Sequence, residues 1–363
     1  MKRVISLVLA AGLAIGVAVA VLLGNGSGDD APDLRTVRGV IGSEKQAFFA
    51  DPAVRAAFAG HGLDVQVDPA GSRQIATSVD LGRYDFAFPG SSPAADRIQQ
   101  RRGITARHAP FSTPMVIATF EPIAELLRRE GVARRAADGT WSFDVARYLD
   151  LAERRVRWDQ LKGNTAYPVR KDVLVSTTDP RSSNSAAMYL AITSFVANGS
   201  AVVRDARAEA RVLPLVGRLF HDQGYTENTS EGPFEDYLSV GMGQVPLVCV
   251  YEAQFVGRAV QGQIRPGMVL MYPAPTVISR HSLVPLRPDG DRVGRLLTSD
   301  PELQRLAARH GFRTADAAQF ARVTAQHRVP VAANLINVVD TPSYDTLERL
   351  LAGVERGYGS GPS

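Results

Sequence analysis

From residue 35 onward, short runs of β-branched and apolar residues alternate with stretches whose apolar positions recur every three or four residues. "RTVRGVIGS" (35–43) reads as a strand that stops at a Gly-Ser turn, and "EKQAFFADPAVRAAFAGHG" continues with helical spacing. "LDVQVDPAGSRQ" is again a strand, closing on Gly71-Ser72-Arg73, with a helix after it. "YDFAFPGSSPAADRIQQR" repeats the scheme: strand, Gly90-Ser91-Ser92, helix. Strands that alternate with helices predict parallel βαβ units. Ligands of such sheets bind beyond the carboxyl ends of the strands, the edge on which all three turns would sit.

"FSTPMVIATF" (111–120) is a long apolar strand with no helix directly before it, and it predicts a crossing into a second unit. Residues 122–162 read as helix-rich. "DVLVSTTDPRSSNSAAMYLAITSFVANG" (172–199) predicts a strand, a polar loop and a helix; "VPLVCVYEAQFVGRAV" (245–260) predicts a strand running into a helix. "GMVLMYPAPTVISRHSLVPL" (267–286) is extended and punctuated by Pro, as a crossing back would be. Two helical stretches follow, and Asp300-Pro301 is a helix-start signal with Pro at the first helical position.

The chain has 363 residues, enough for two domains, with 45% hydrophobic and 21% charged residues, as in ordinary globular proteins. Its formal net charge is +4, too small to point to nucleic acid. Residues 4–23 carry no charge and are long enough to span a bilayer, with Lys2 and Arg3 on the side expected in the cytoplasm. "GNGSGDDAPD" then reads as a flexible linker. A cleaved signal peptide and a retained anchor both fit. The length of the run, and the lack of a small-residue cleavage site, favour the anchor. Either way the globular part is exported. The only cysteine, Cys249, is set among apolar residues and reads as a buried, inert thiol.

Candidate chemistry gathers at the turns. Ser43, Glu44 and Lys45 open the first helix. Ser72 with Arg73, and Ser91 with Ser92, open the next two. Each group alone reads as capping; at three successive strand ends they predict a shared rim. "STTDPRSSNS" (176–185) has more hydroxyl and amide side chains than one helix start needs, since capping uses one. Thr178, Asp179, Arg181, Ser183, Asn184 and Ser185 are therefore candidate ligand contacts, with helix N–H groups and Arg181 suited to an anion. Tyr251 is a further candidate at a strand end, and Glu44 and Glu252 leave room for an amine. Thr276 and His281 fall in the second crossing as hinge neighbours, His281 being expected on the surface.

"GSEKQAFF", "YDFAFPGSSPAA", "STPMVIATF", "DPRSSNSAAMYLA", "VPLVCVYEAQF" and "TSDPELQRLAARHGFR" resemble, in order and character, the strand-to-helix turns, crossings and C-terminal return of the type II periplasmic solute-binding proteins. The resemblance implies an α/β fold of two lobes joined by two crossovers. The segment boundaries expected are an anchor or signal and linker over 1–33, a first lobe of 34–115 plus 276–363, and a second lobe of 116–275. It implies capture of a small solute in the interlobe cleft, with an ABC permease as partner. An anchored extracellular sensor or partner-binding subunit is the alternative.

No G-x-S-x-G elbow or H-E-x-x-H motif supports an enzyme. Six scattered histidines and one cysteine do not form a metal-ligand pattern, so neither a metal nor a cofactor is expected. The expected ligand is a small polar solute, anionic or zwitterionic, held between Ser43, Ser72, Ser91 and the 178–185 loop.

Overall fold

Alternating apolar residues place strand β1 (Arg35–Gly42) at the centre of a first layer, where Val37, Val40 and Ile41 are buried. The computed structural model describes residues 34–223, 227–335 and 337–358. β2 (Leu63–Ala70) and β3 (Phe86–Phe88) flank β1, and β3 runs parallel to it. The helices after these strands begin at the three expected turns, at Gln46, Ser72 and Ser92, the first preceded by a 3-10 turn over Ser43–Lys45.

β4 (His108–Phe120) joins two cores. Its first half pairs with β9 (Ile278–Pro285), with Phe111 opposite His281. Its second half pairs with β7 (Leu247–Tyr251) and β8 (Met268–Ala274), with Ile117 opposite both Cys249 and Met271. The change of partners falls at Pro114–Met115. Proline has no N–H to extend the ladder, and the Met115 N–H turns to the Val277 carbonyl at 3.1 Å. β4 and β9 are thus the two crossings, and β8 belongs to the second core.

On the first side Phe48, Phe86, Phe111, Leu283 and Phe312 pack together. On the second, Met115 and Ile117 point into a core with Trp141, Leu190 and Cys249, while Val116 and Ala118 face Phe234 and Phe255 on the other surface. This is the period-two alternation of a strand buried on both faces. The C-terminal helix Tyr344–Tyr358 buries Leu347, Leu350, Leu351 and Val354 in the second core, against helices Asn184–Ala197 and Ala206–His221.

Three local expectations change. The sheet is mixed, since β3–β9, β4–β7, β4–β8 and β4–β9 are antiparallel. Residues 122–162 include a hairpin, β5 (Ala133–Arg135) with β6 (Trp141–Asp144), turning through Gly139 at φ +85°. The strand expected at 172–176 is reduced to isolated bridges, Asp172 with Arg157 and Ser176 with Val248.

The apolar run 4–23 lies outside the described residues. Among those described, no helix is long and apolar enough to cross a membrane.

Candidate functional site

The loop 176–185 crosses from the second core to meet the first. The Asp179 N–H donates to the Glu227 carbonyl at 2.8 Å, which ties the loop to residues 227–230. Ser183 occupies the N-cap position of helix Asn184–Ala197, but its side chain caps nothing. Its Oγ lies 2.9 Å from Ser185 Oγ, which lies 2.8 Å from Thr178 Oγ1. Asn184 donates to the Tyr251 hydroxyl at 2.8 Å. The first N–H groups of a helix have no intrahelical partner, and side chains normally satisfy some of them. Here the surplus hydroxyls bind one another, and the helix start opens onto a small cavity.

That cavity, about 10 Å³, lies between the two cores. Ser43, Glu44 and Ser72 line it from the first side; Ser183, Asn184, Ser185 and Tyr251 line it from the second. At that volume it holds about one water. The walls meet closely. A Cβ on Gly71 would stand 2.3 Å from the Ser182 carbonyl oxygen, so only glycine allows this approach of the two backbones. Arg73 forms a two-pronged ion pair with Glu348, at 2.7 and 2.6 Å, and also donates to the Pro180 carbonyl across the gap.

The other predicted contacts lie elsewhere. Lys45 is fully buried beneath the cavity, paired with the Glu44 carboxylate, 3.1 Å from His281 Nδ1 and 4.7 Å from the Phe88 ring centre. Asp179 accepts from Arg181, whose guanidinium lies over the Tyr358 ring. Neither lines the cavity. Ser91 and Ser92 line a separate cavity behind β9. Glu252 is sealed off: Arg313 holds it at 2.6 and 2.8 Å, and the Tyr272 hydroxyl donates to it.

His281 is not on the surface. It is fully buried among the rings of Phe88, Phe111, Phe312 and Tyr251, because β9 is an inner strand of the sheet. Burial, and then the nearby Lys45, hold its pKa well below the ordinary value. Burial also lowers the pKa of Lys45, against the pull of Glu44. Neutral His281 accepts from Lys45 at Nδ1, which puts its proton on Nε2. That atom has no hydrogen-bond partner among the described residues. Burial, then Glu44, raise the pKa of the Tyr251 hydroxyl well above its usual value, so it remains a neutral donor and acceptor.

Asn228, Thr229 and Ser230 also line the cavity, just before helix Glu231–Ser239. Sequence reasoning passed over them. Their signal was the one used for 182–185, a run of capping residues in front of a helix. Among the described residues no group of three His, Cys, Asp or Glu side chains is placed to hold a metal ion.

The cavity is thus a small polar site of hydroxyls, two amides, one carboxylate and a helix start. No family model and no curated relative matches the chain. Solved structures do. AfuA, a periplasmic binding protein from Actinobacillus pleuropneumoniae with exogenous fructose-6-phosphate bound, superposes with a TM-score of 0.56 at 11% identity, over 90% of this chain and 99% of that one. The apo ferric ion-binding protein A of Pasteurella haemolytica gives 0.56 at 13% identity, over 90% and 99%. Iron-bound HitA from Pseudomonas aeruginosa gives 0.55 at 12% identity, over 88% and 99%. With its two cores, its two crossings and a polar cavity between them, this chain has the fold of the type II periplasmic binding proteins.

Proposed function

We propose that this protein is an extracytoplasmic binding protein that captures a small polar solute, anionic or zwitterionic, between two lobes for uptake by an ABC-type permease. The observation that carries this reading is the start of the 14-residue helix Asn184–Ala197, uncapped by its N-cap side chain and opening onto the cavity opposite Ser43 and Ser72. Free N–H groups and the helix dipole favour an anionic group there. Glu44 offers an acceptor to an amine or hydroxyl of the same ligand. The lobes of this reading are 34–115 with the return from 276, and 116–275, with the terminal helix riding on the second. A cavity of about 10 Å³ admits no such solute, so the lobes part to load it and close over it. Export through residues 4–23, kept as a membrane anchor, belongs to the same reading.

A thermal-shift screen of small polar anions and zwitterions tests it, because a solute that binds the native state raises the melting temperature. A hit should bind with one-to-one stoichiometry in calorimetry, and Ser183→Ala should weaken it about tenfold, or about 1.4 kcal/mol. A screen in which no polar solute raises the melting temperature would sink the proposal. Fractionation of native cells should find the protein in the membrane pellet with its globular part open to external protease; a soluble form would remove the anchor.

A further inference from the structure

Three ionisable side chains lie beside the small cavity with almost no access to water. Lys45 and His281 are 0% exposed, and the Glu44 side chain is 5% exposed. The Lys45 ammonium pairs with Glu44 Oε1 and lies 3.1 Å from His281 Nδ1, which is itself 3.4 Å from the same carboxylate oxygen. Among the described residues no second carboxylate is within ion-pair distance of either base. The rest of the His281 ring meets Phe88, Phe111, Phe312 and the neutral Tyr251, and its Nε2 finds no hydrogen-bond partner there. Glu44 also borders a second void, of about 110 Å³, which Glu231, Arg258 and His310 line as well. Those three already have partners: Arg258 pairs with Glu231, and His310 with Asp51.

With Lys45 charged, Glu44 ionised and His281 neutral, the group carries no net charge. A further proton gives it a net positive charge wherever that proton rests: on His281, beside the Lys45 ammonium, or on Glu44, which leaves the ammonium alone. A buried charge without a partner is costly. Burial, and then Lys45, hold the pKa of His281 well below its ordinary value, and burial lowers that of Lys45. The cost falls when water reaches the group. Glu44 lines both voids between the two cores, so parting the cores wets its carboxylate. The form that takes up a proton at lower cost gains population as pH falls.

We propose that Lys45, Glu44 and His281 form an acid switch of the lobes: uptake of one proton by this buried group opens the cleft and releases what it holds. The switch rests on the two-lobe reading proposed above. By the reciprocity of linkage, a solute that closes the lobes drives the same proton off. The sign depends on Lys45. Without its charge, Glu44 alone makes the group negative, and the added proton then neutralises it. Acid should close such a variant instead of opening it.

Gln66 on the first side and Lys162 on the second are exposed, and Cys249 is buried. Spin labels on Gln66→Cys and Lys162→Cys therefore report opening in the full chain by pulsed electron resonance. The distance between them should lengthen as pH falls below about 6.5, with the helical circular dichroism unchanged. His281→Gln should abolish this response between pH 7 and pH 5, and Lys45→Met should reverse it. The proposal is overturned if the distance stays constant, if it lengthens only as helical signal is lost, or if both variants respond as the wild type does. The two readings fail separately. Acid opening in a protein that no polar solute stabilises keeps the switch and removes solute capture, whereas a pH-independent distance in a protein that binds a solute removes the switch alone.

Discussion

Lys45 and His281 are 236 positions apart, and their side-chain nitrogens meet at 3.1 Å with neither residue reaching solvent. Glu44 completes the group: it pairs with Lys45, and its Oε1 lies 3.4 Å from His281 Nδ1. The carboxylate that lines the cavity is therefore held from beneath by the buried Lys45 amine, which also donates to His281 on a crossing strand.

This relationship sets a pH dependence. The folded state holds the pKa of His281 well below its ordinary value of 6.5, mainly by burial. Below about pH 6.5 the unfolded chain takes up a proton that the folded chain does not. Stability from this group is fully present above that pH and is lost as pH falls, by up to about 1.4 kcal/mol per pH unit. His281→Gln keeps an acceptor for Lys45 but does not titrate. Its melting temperature should fall less steeply than that of the wild type between pH 7 and pH 5. Parallel curves would show that His281 protonates without resistance.

In the proposed closure, Gly71 sets how near the two backbones come. Its φ of −64° suits any residue, so alanine meets no backbone strain, only the Ser182 carbonyl oxygen 2.3 Å from the added carbon. Gly71→Ala should keep the fold but prop the two cores apart. Small-angle scattering should report a larger radius of gyration, and solute affinity should drop about tenfold. An unchanged radius would mean that the loop at 182 yields locally.

Arg73 bridges Glu348 and the Pro180 carbonyl, and in the proposed closure it serves as a latch. The pair is partly exposed, so its contribution to stability is small, up to about 1 kcal/mol. Its effect should appear in closure instead. Glu348→Gln should raise the off-rate of a bound solute while the melting temperature of the free protein barely moves; stopped-flow release measures the first and calorimetry the second. A large loss of stability with unchanged release would assign the pair to folding alone.

Glu252 and Arg313 form a buried pair that is costly to break. Glu252 is completely buried and accepts from Arg313 and Tyr272. Arg313→Leu leaves an unpaired buried carboxylate and should cost about 3 to 5 kcal/mol in denaturant unfolding. Glu252→Gln with Arg313→Leu together should recover much of that loss, because no buried charge is then left alone. A double variant no better than the single would place the cost in packing.

Much of this architecture follows from the local pattern of the chain. Short β-branched and apolar runs mark β1, β4 and β7, helical spacing marks helices between them, and Asp300 before Pro301 caps its helix through the N–H groups of Glu302 and Leu303. These are properties of the backbone and its nearest neighbours, so a short window of sequence determines them. The same is true of the helix starts at 43, 72, 92 and 184, which the turn residues announce. Which side chains meet at those starts was decided by the tertiary structure. Glu44 and Lys45 are adjacent in sequence, but packing turns the carboxylate to the cavity and buries the amine on His281. Ser72 and Ser91 look alike in sequence, yet Ser72 faces the interlobe site while Ser91 opens onto a different cavity. His281 looked like a surface residue because its immediate neighbours are polar; an inner strand position buries it. The physical reason is common to all three. A side chain's partner depends on which distant segment the sheet brings beside it and how much water that contact removes, and neither is encoded within a few residues of the chain.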